Sequence, residues 1–386
     1  MKYFFAFFSI VSLFIFQGGR FIDECKDSVS YFIEHILENQ QSKPKVSLAM
    51  NPEKFIKNLE SSQQGMRRWI EMGGAVEQSI RYTRRKRMDD VAVESVTWGD
   101  IHHSLVLLKD LLPEIDKDRT VLLEHFEWIR LHTEDTPFLM TGYYHPTLRA
   151  SRVPKDGYVP LYAMPNDRKR GVPYFDRRAI MNGALAGRNL EIAWAKDPFE
   201  AFLLEVQGSG CLQFDDGSKQ CVRYAGQNGH KYRSSRRILE ENGILQKSDI
   251  QEQREFFKEH PEYLFLLNEN PSYVFFKKSN TNDAIGAMGR PLQDWQSIAV
   301  DRRVIPLGSI VALGVTLPDE KFGEIPFYAL MLAQDTGGAI KRNRIDIFCG
   351  SSDRAAYVAA RLDSLGPVWM LLAKDRPSKI KNVAEK

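Results

Sequence analysis

Two aspartates, Asp335 and Asp346, bracket a glycine turn and a basic stretch in AQDTGGAIKRNRIDIFCG, residues 333–350. Paired carboxylates suit proton-transfer chemistry, because a carboxyl group with a raised pKa can deliver a proton and its conjugate base can take one back. An apolar run at 328–333 leads into Asp335, and Ile345 and Ile347 alternate with Asp346 and Phe348 at the period of a β-strand. If the two isoleucines enter a core, Asp346 faces the other way and borders a cleft. A second carboxylate nearby would raise its pKa further, whereas Lys341, if it points inward, would oppose that shift. Asp335-Thr336-Gly337 copies the DTG triplet of aspartic proteases. Those enzymes need two such aspartates sharing a proton, and the chain has no second D-[ST]-G.

Further polar residues ask for positions of their own. Gln207-Gly208-Ser209-Gly210 reads as the end of an apolar strand, presenting backbone amides and two polar side chains as either a plain turn or a binding loop. Tyr143, Tyr144 and Tyr224 offer either exposed aromatic faces or buried rings with satisfied hydroxyls. Asp301, just before Ile305-Pro306-Leu307-Gly308, reads as structural, holding a turn through side-chain to backbone hydrogen bonds. Cys211 and Cys221 flank Asp215-Asp216-Gly217, a three-residue hairpin loop whose register makes them cross-strand neighbours. A disulfide is within their reach in an oxidising compartment, and two buried thiols are the alternative. The four cysteines show no zinc spacing, and His102-His103 is not HExxH, so no metal is expected.

These residues need a scaffold, and 386 residues with 43% hydrophobic content suffice for two or three folded domains. A net charge of +3 is too small to argue for nucleic acid, and Arg84-Arg85-Lys86-Arg87, followed by Asp89 and Asp90, reads as a solvated helix end. Lys2 precedes a largely apolar run at 3–16, which has the length of a signal-peptide core and is short for a bilayer span. Residues 1–19 are therefore expected to be a signal peptide or an N-terminal anchor, and 20–53 a linker. Helical periodicity marks 53–59, 64–80, 98–112 and 119–132, with Thr97 and Asp100 as a helix start. From residue 138 short apolar runs between Gly, Pro, Asn and Asp predict strands at 158–163, 190–195, 202–206, 211–214, 220–224, 273–276, 297–300, 309–313 and 328–332. Helical pieces are expected at 234–241, 249–258 and 353–365, the last stopped by Gly366, and then a frayed basic tail. The fold class is α+β, mostly β.

The 333–350 stretch resembles the C-terminal 3D segment of the MltA family of membrane-bound lytic murein transglycosylases. Six upstream stretches resemble the same family in the same order: GYYHP (142–146), PLYAMP (160–165), EVQGSG (205–210), YAGQNGHKYRS (224–234), NPSYVFF (270–276) and DRRVIPLG (301–308). The resemblance covers roughly residues 142–372. It implies a double-psi β-barrel from 54–142 and 271–375, a second β domain inserted at 143–270, a basic tail at 376–386, and a glycan groove between the domains. It implies cleavage of the β-1,4 bond between N-acetylmuramic acid and N-acetylglucosamine in peptidoglycan, giving a 1,6-anhydro ring. Asp346 would be the single acid/base, with Asp335 in support, and Lys341 would be among the substrate-binding residues. The loop at Gln207, Gly208, Ser209 and Gly210, with Tyr143, Tyr144 and Tyr224, would contact sugar. No cofactor or metal is implied, the partner is the glycan strand, and the protein would act as an exported monomer in the periplasm or at a membrane facing the wall. Family lipoproteins carry an acylated cysteine after a short small-residue pattern, but Cys25 follows Phe21-Ile22-Asp23-Glu24, which argues against a lipid anchor here. The alternatives are a glycan-binding barrel without activity, or a hydrolase using Asp346 and Asp335 as a pair.

Overall fold

A computed structural model describes residues 46–131, 136–169 and 171–378. The expected export segment, most of the expected linker and residues 379–386 of the basic tail lie outside them. From Val46 onward the chain forms one compact unit. Its strands are β1 Val91–Val93, β2 Val96–Thr97, β3 Phe126–Arg130, β4 Phe138–Tyr143, β5 Thr147–Ser151, β6 Val159–Tyr162, β7 Glu191–Ala195 and β8 Ser209–Phe214. They continue with β9 Lys219–Gln227, β10 Val274–Lys278, β11 Ser297–Ala299, β12 Ile310–Asp319, β13 Gly323–Asp335, β14 Arg344–Phe348, β15 Asp363–Gly366 and β16 Val368–Ala373.

Eight strands pair in the order β15-β4-β14-β11-β13-β12-β16-β3, and six in the order β10-β9-β8-β5-β7-β6. The chain leaves the larger sheet after β4, builds the whole smaller sheet, and returns at β11. The return comes later than 270, because Val274–Lys278 pairs antiparallel with β9 of the smaller sheet. No pairing between β15 and β3 closes the larger sheet among the described residues.

The long β12–β13 hairpin explains how the larger sheet is held. Along it, Ile310, Ala312, Leu330 and Leu332 enter one core with the N-terminal helices. The alternate residues Val311, Leu313, Ala329 and Met331 enter a second core with Phe138, Ile298, Ile345 and Ile347. Both faces of these strands are therefore buried, as their nearly continuous apolar runs require. Polar pins fix the helices to the sheet. Gln64 Nε2 donates to Trp295 O and Leu330 O, both at 2.7 Å, and Gln334 Nε2 donates to Ala75 O at 2.8 Å.

Several elements differ from the sequence expectation. The Trp98–Ile115 helix starts with the Thr97–Asp100 capping box, but of the described residues 119–131 only Val121–His125 are helical, and β3 follows and pairs with β16. Residues 202–206 belong to the helix Pro198–Gln207, whose N-cap Asp197 accepts from Phe199 N at 2.8 Å. The final helix ends at Arg361, and Asp363–Gly366 becomes a strand on β4, so Gly366 is no helix stop. Residues 46–53 are not free linker: Val46 is buried, and the Pro52–Asn58 helix begins there. The start of the tail is also tied down, with Arg376 Nη1 2.6 Å from Glu127 Oε2 and Ser378 N donating to Asp100 Oδ1.

Candidate active site

Asp346 sits in the middle of β14, which runs parallel to β4 on one side and antiparallel to β11 on the other. Ile345 and Ile347 are fully buried. A one-residue register slip would drive Asp346 into the core and expel both isoleucines, at a cost of about 1.5–3 kcal/mol for each side chain expelled. The carboxylate is thus held at the surface of the sheet by the apolar residues beside it.

The registry brings Thr141 of β4 opposite Asp346. Thr141 Oγ1 donates to Asp346 Oδ1 at 2.7 Å and accepts from Arg344 Nε and Nη2 at 3.4 and 3.3 Å. A guanidinium can only donate, so it leaves the threonine proton directed at Oδ1. That oxygen is committed as an acceptor, and a proton on Asp346 belongs on Oδ2. Burial pushes the Asp346 pKa up to about 6, against the Thr141 hydrogen bond and the Arg344 charge, with a smaller upward push from Asp335. The opposing cation is Arg344 and not Lys341, which is exposed in the loop before β14.

Asp335 lies at the end of β13. The same β11 residue, Ala299, is the register partner of both aspartates, so they occupy one rung two strands apart, with backbones about 10 Å from each other. Asp335 is saturated with donors: Oδ1 accepts from Ala287 N and Thr336 N at 2.8 Å, and Oδ2 from the Tyr143 hydroxyl at 2.9 Å. Burial raises its pKa while these hydrogen bonds favour the carboxylate. Burial also lifts the Tyr143 hydroxyl well above its ordinary value, so it remains a neutral donor.

Asp301 works at the margin. It accepts from Arg303 N and from Arg342 N at 3.1 and 3.0 Å, and the Arg303 guanidinium holds its carboxyl far below the usual range. It ties the loop before β14 to the turn after β11.

The 207–210 loop follows a helix, not a strand. Gly208 ends the Pro198–Gln207 helix in the left-handed region, at φ +77°, and β8 starts at once. A side chain at Gly210 would meet Leu204 Cδ1 at 2.5 Å and Pro146 O at 2.9 Å, so only glycine fits there. Gln207 Oε1 accepts from Tyr144 N at 2.9 Å, which fastens the loop to the strand end bearing Tyr143. The Tyr144 hydroxyl lies buried near Glu200 and Arg254, while Tyr224 is half exposed. Under this loop Arg177 and Glu205 form a buried two-pronged ion pair at 2.9 and 2.7 Å, and Glu205 Oε2 also accepts from Val274 N.

Sequence reasoning missed three residues here: Thr141, Arg344 and Tyr232. Tyr232 lines a small pocket with Arg177 and Glu205; the residue is nearly half exposed, but its hydroxyl is pushed up to about 12 chiefly by burial. A cavity of about 250 Å³ beside Arg177, Glu205, Phe202 and Tyr273 shares no lining residue with the Asp346 group. Cys211 and Cys221 are register partners on β8 and β9 and are joined as a disulfide.

Residues 139–277 match the MltA specific insert domain, and residues 296–372 match the 3D domain. A membrane-bound lytic murein transglycosylase A from Vibrio cholerae is 33% identical over 249 residues, 62% of this chain and 67% of the relative. The Escherichia coli K12 protein of that name is 37% identical over 239 residues, 60% of this chain and 64% of the relative, so the chain spans just under two thirds of its length. Among solved structures, a membrane-bound lytic murein transglycosylase from Agrobacterium tumefaciens matches with TM-score 0.68 at 27% identity, covering 88% of this chain and 98% of that one. E. coli MltA with bound chitohexaose matches with TM-score 0.66 at 29% identity, covering 78% and 89%.

Proposed function

The chain belongs to the MltA family of lytic murein transglycosylases, and from that premise we propose that it cleaves the β-1,4 bond between N-acetylmuramic acid and N-acetylglucosamine in peptidoglycan, with Asp346 as the only acid/base and a 1,6-anhydromuramic acid end as product. The observation that carries this reading is the asymmetry between the two aspartates. Among the described residues nothing donates to Asp346 Oδ2 and burial pushes this carboxyl up to about 6, whereas both Asp335 oxygens are occupied by donors.

In the first step the Asp346 Oδ2–H bond breaks as its proton passes to the glycosidic oxygen, and positive charge builds at the anomeric carbon. The carboxylate left behind is stabilised by the Thr141 hydroxyl and the nearby Arg344 charge. In the second step the muramic acid C6 hydroxyl attacks the anomeric carbon and gives its proton to that carboxylate. The acid is regenerated and no water is consumed. A paired-carboxylate hydrolase would need Asp335 free to act as nucleophile or to activate water, and its three hydrogen bonds oppose that use.

The E. coli relative bound to chitohexaose supports a glycan groove here. Tyr232, Tyr224 and the 207–210 loop would line its inserted side. The strands around the second core, drawn from β4 and β11 to β14, would supply the double-psi arrangement. The name of the curated relatives supports placement at the cell envelope.

The test is mass spectrometry of peptidoglycan digested by the purified chain beside Asp346→Asn. Muropeptides lighter than lysozyme products by one water, absent with the variant, are the expected result. Reducing-end products would replace this reading with hydrolysis, and glycan binding without products would reduce the chain to a binding module.

A further inference from the structure

The two connections between the sheets, residues 144–146 and 279–296, approach each other beside the disulfide. His145 lies on the first and Asn282 on the second. His145 Nε2 and the sulfurs of Cys211 and Cys221 all lie within 4.8 Å of one another, and all three residues are buried. Asn282 Oδ1 is 3.6 Å from Cys221 Sγ, and the Asn282 carbonyl is 3.9 Å from Cys211 Sγ. Backbone bonds tie the same point together: Cys211 N donates to Pro146 O and Ser279 N to Cys221 O, each at 2.8 Å.

We propose that reduction of the Cys211–Cys221 disulfide converts this cluster into a metal site of the zinc class, with His145 Nε2 and the two thiolates as ligands and Asn282 as fourth donor. In the reduction a dithiol supplies two electrons and two protons, becomes a disulfide itself, and leaves two thiols on the chain. A divalent cation then displaces one proton from each thiol. Two thiolates and an imidazole suit zinc. A tetrahedral zinc with ordinary bond lengths sets ligand atoms roughly 3.5–3.8 Å apart, and His145 Nε2 and Cys211 Sγ already stand 3.9 Å apart. Asn282 is exposed, so the cluster is reached from its side. Either crosslink, sulfur–sulfur or metal, clamps the place where both connections pass between the sheets.

The experiment titrates Co2+ into the full chain after reduction with dithiothreitol and anaerobic desalting, then displaces it with Zn2+. One equivalent of Co2+ with thiolate charge-transfer absorption is expected. The oxidised chain should show none of it, Cys349→Ala should retain it, and Cys221→Ser and His145→Ala should each weaken binding by at least about tenfold. Zn2+ should also protect Cys211 and Cys221 of the unmutated reduced chain from alkylation, read by mass spectrometry. A reduced chain without the absorption, an unchanged titration in Cys221→Ser, or alkylation indifferent to Zn2+ would each overturn the proposal.

Discussion

Replacing Thr141 by valine keeps the shape of the side chain and removes the hydroxyl that donates to Asp346 Oδ1. A hydrogen bond to a charged group is worth about 1.5–3 kcal/mol, and it favours the ionised form. At roughly 1.4 kcal/mol per pH unit, its loss raises the pKa of Asp346 by about one to two pH units from its value near 6. The proposed acid must be protonated to act, so activity falls on the alkaline side as Asp346 ionises. A higher pKa moves that limb to higher pH. The assay is the pH profile of kcat/KM for release of anhydromuropeptides from purified peptidoglycan. The expected result is an alkaline limb displaced upward in Thr141→Val, with a lower maximal rate because the carboxylate formed in the first step has lost its donor. An alkaline limb that stays in place, or moves down, would refute both the relay from Arg344 through Thr141 and the assignment of the acid to Asp346.

Three companion outcomes follow from the same geometry. Asp346→Asn should be more stable than the parent at neutral pH, because burial pushes the folded carboxyl up to about 6, above the roughly 3.9 of an unperturbed aspartate. A folded pKa above the unfolded one means stability that is complete below pH 4 and lost as pH rises through 6, by about 3 kcal/mol. The gap in Tm between variant and parent should therefore widen between pH 4 and 6 and then level off, and a gap independent of pH would contradict the burial argument. Arg177→Ala strands Glu205 in the interior and should cost about 3–5 kcal/mol in urea unfolding, whereas a joint replacement of both by apolar residues should recover most of it. Arg344→Gln should move the alkaline limb up in the same direction as Thr141→Val, since the charge near Asp346 is what the change removes.

How much of this was legible in the chain depends on the range of each interaction. The alternation of Ile345, Asp346, Ile347 and Phe348 is local and exposes the strand, its buried face and its carboxylate. Arg344 was within reach of the same rule, two residues before Asp346 on the same face. Lys341, five residues before Asp346, falls in the loop ahead of the strand and is exposed. Thr141 was not legible at all, because its meeting with Asp346 depends on parallel pairing of strands 205 positions apart. The run Phe202-Leu203-Leu204-Glu205-Val206 is apolar on nearly every side, so neither period stands out. It became a helix because Asp197 and Pro198 start one and Gly208 ends it, signals that lie outside the run. The short strand Asp363–Gly366 carries little apolar pattern of its own, and only its partner β4 gives it a structure.

The two aspartates also show why residue type and spacing leave the division of roles open. Both are carboxylates within twelve residues of each other in sequence, from 335 to 346, and both occupy one rung of the sheet. What separates them is a count of donors that comes from distant chain: Tyr143 and Ala287 reach Asp335, which already holds its own neighbour Thr336, while among the described residues Thr141 alone donates to Asp346. A carboxylate with both oxygens engaged loses a hydrogen bond when it is protonated, whereas one with a bare oxygen in a dry site gains by holding a proton. The same burial that raises both pKa values therefore leaves Asp335 a fixed acceptor for Ala287 N and Thr336 N, and suits Asp346 to the proton transfer proposed for it.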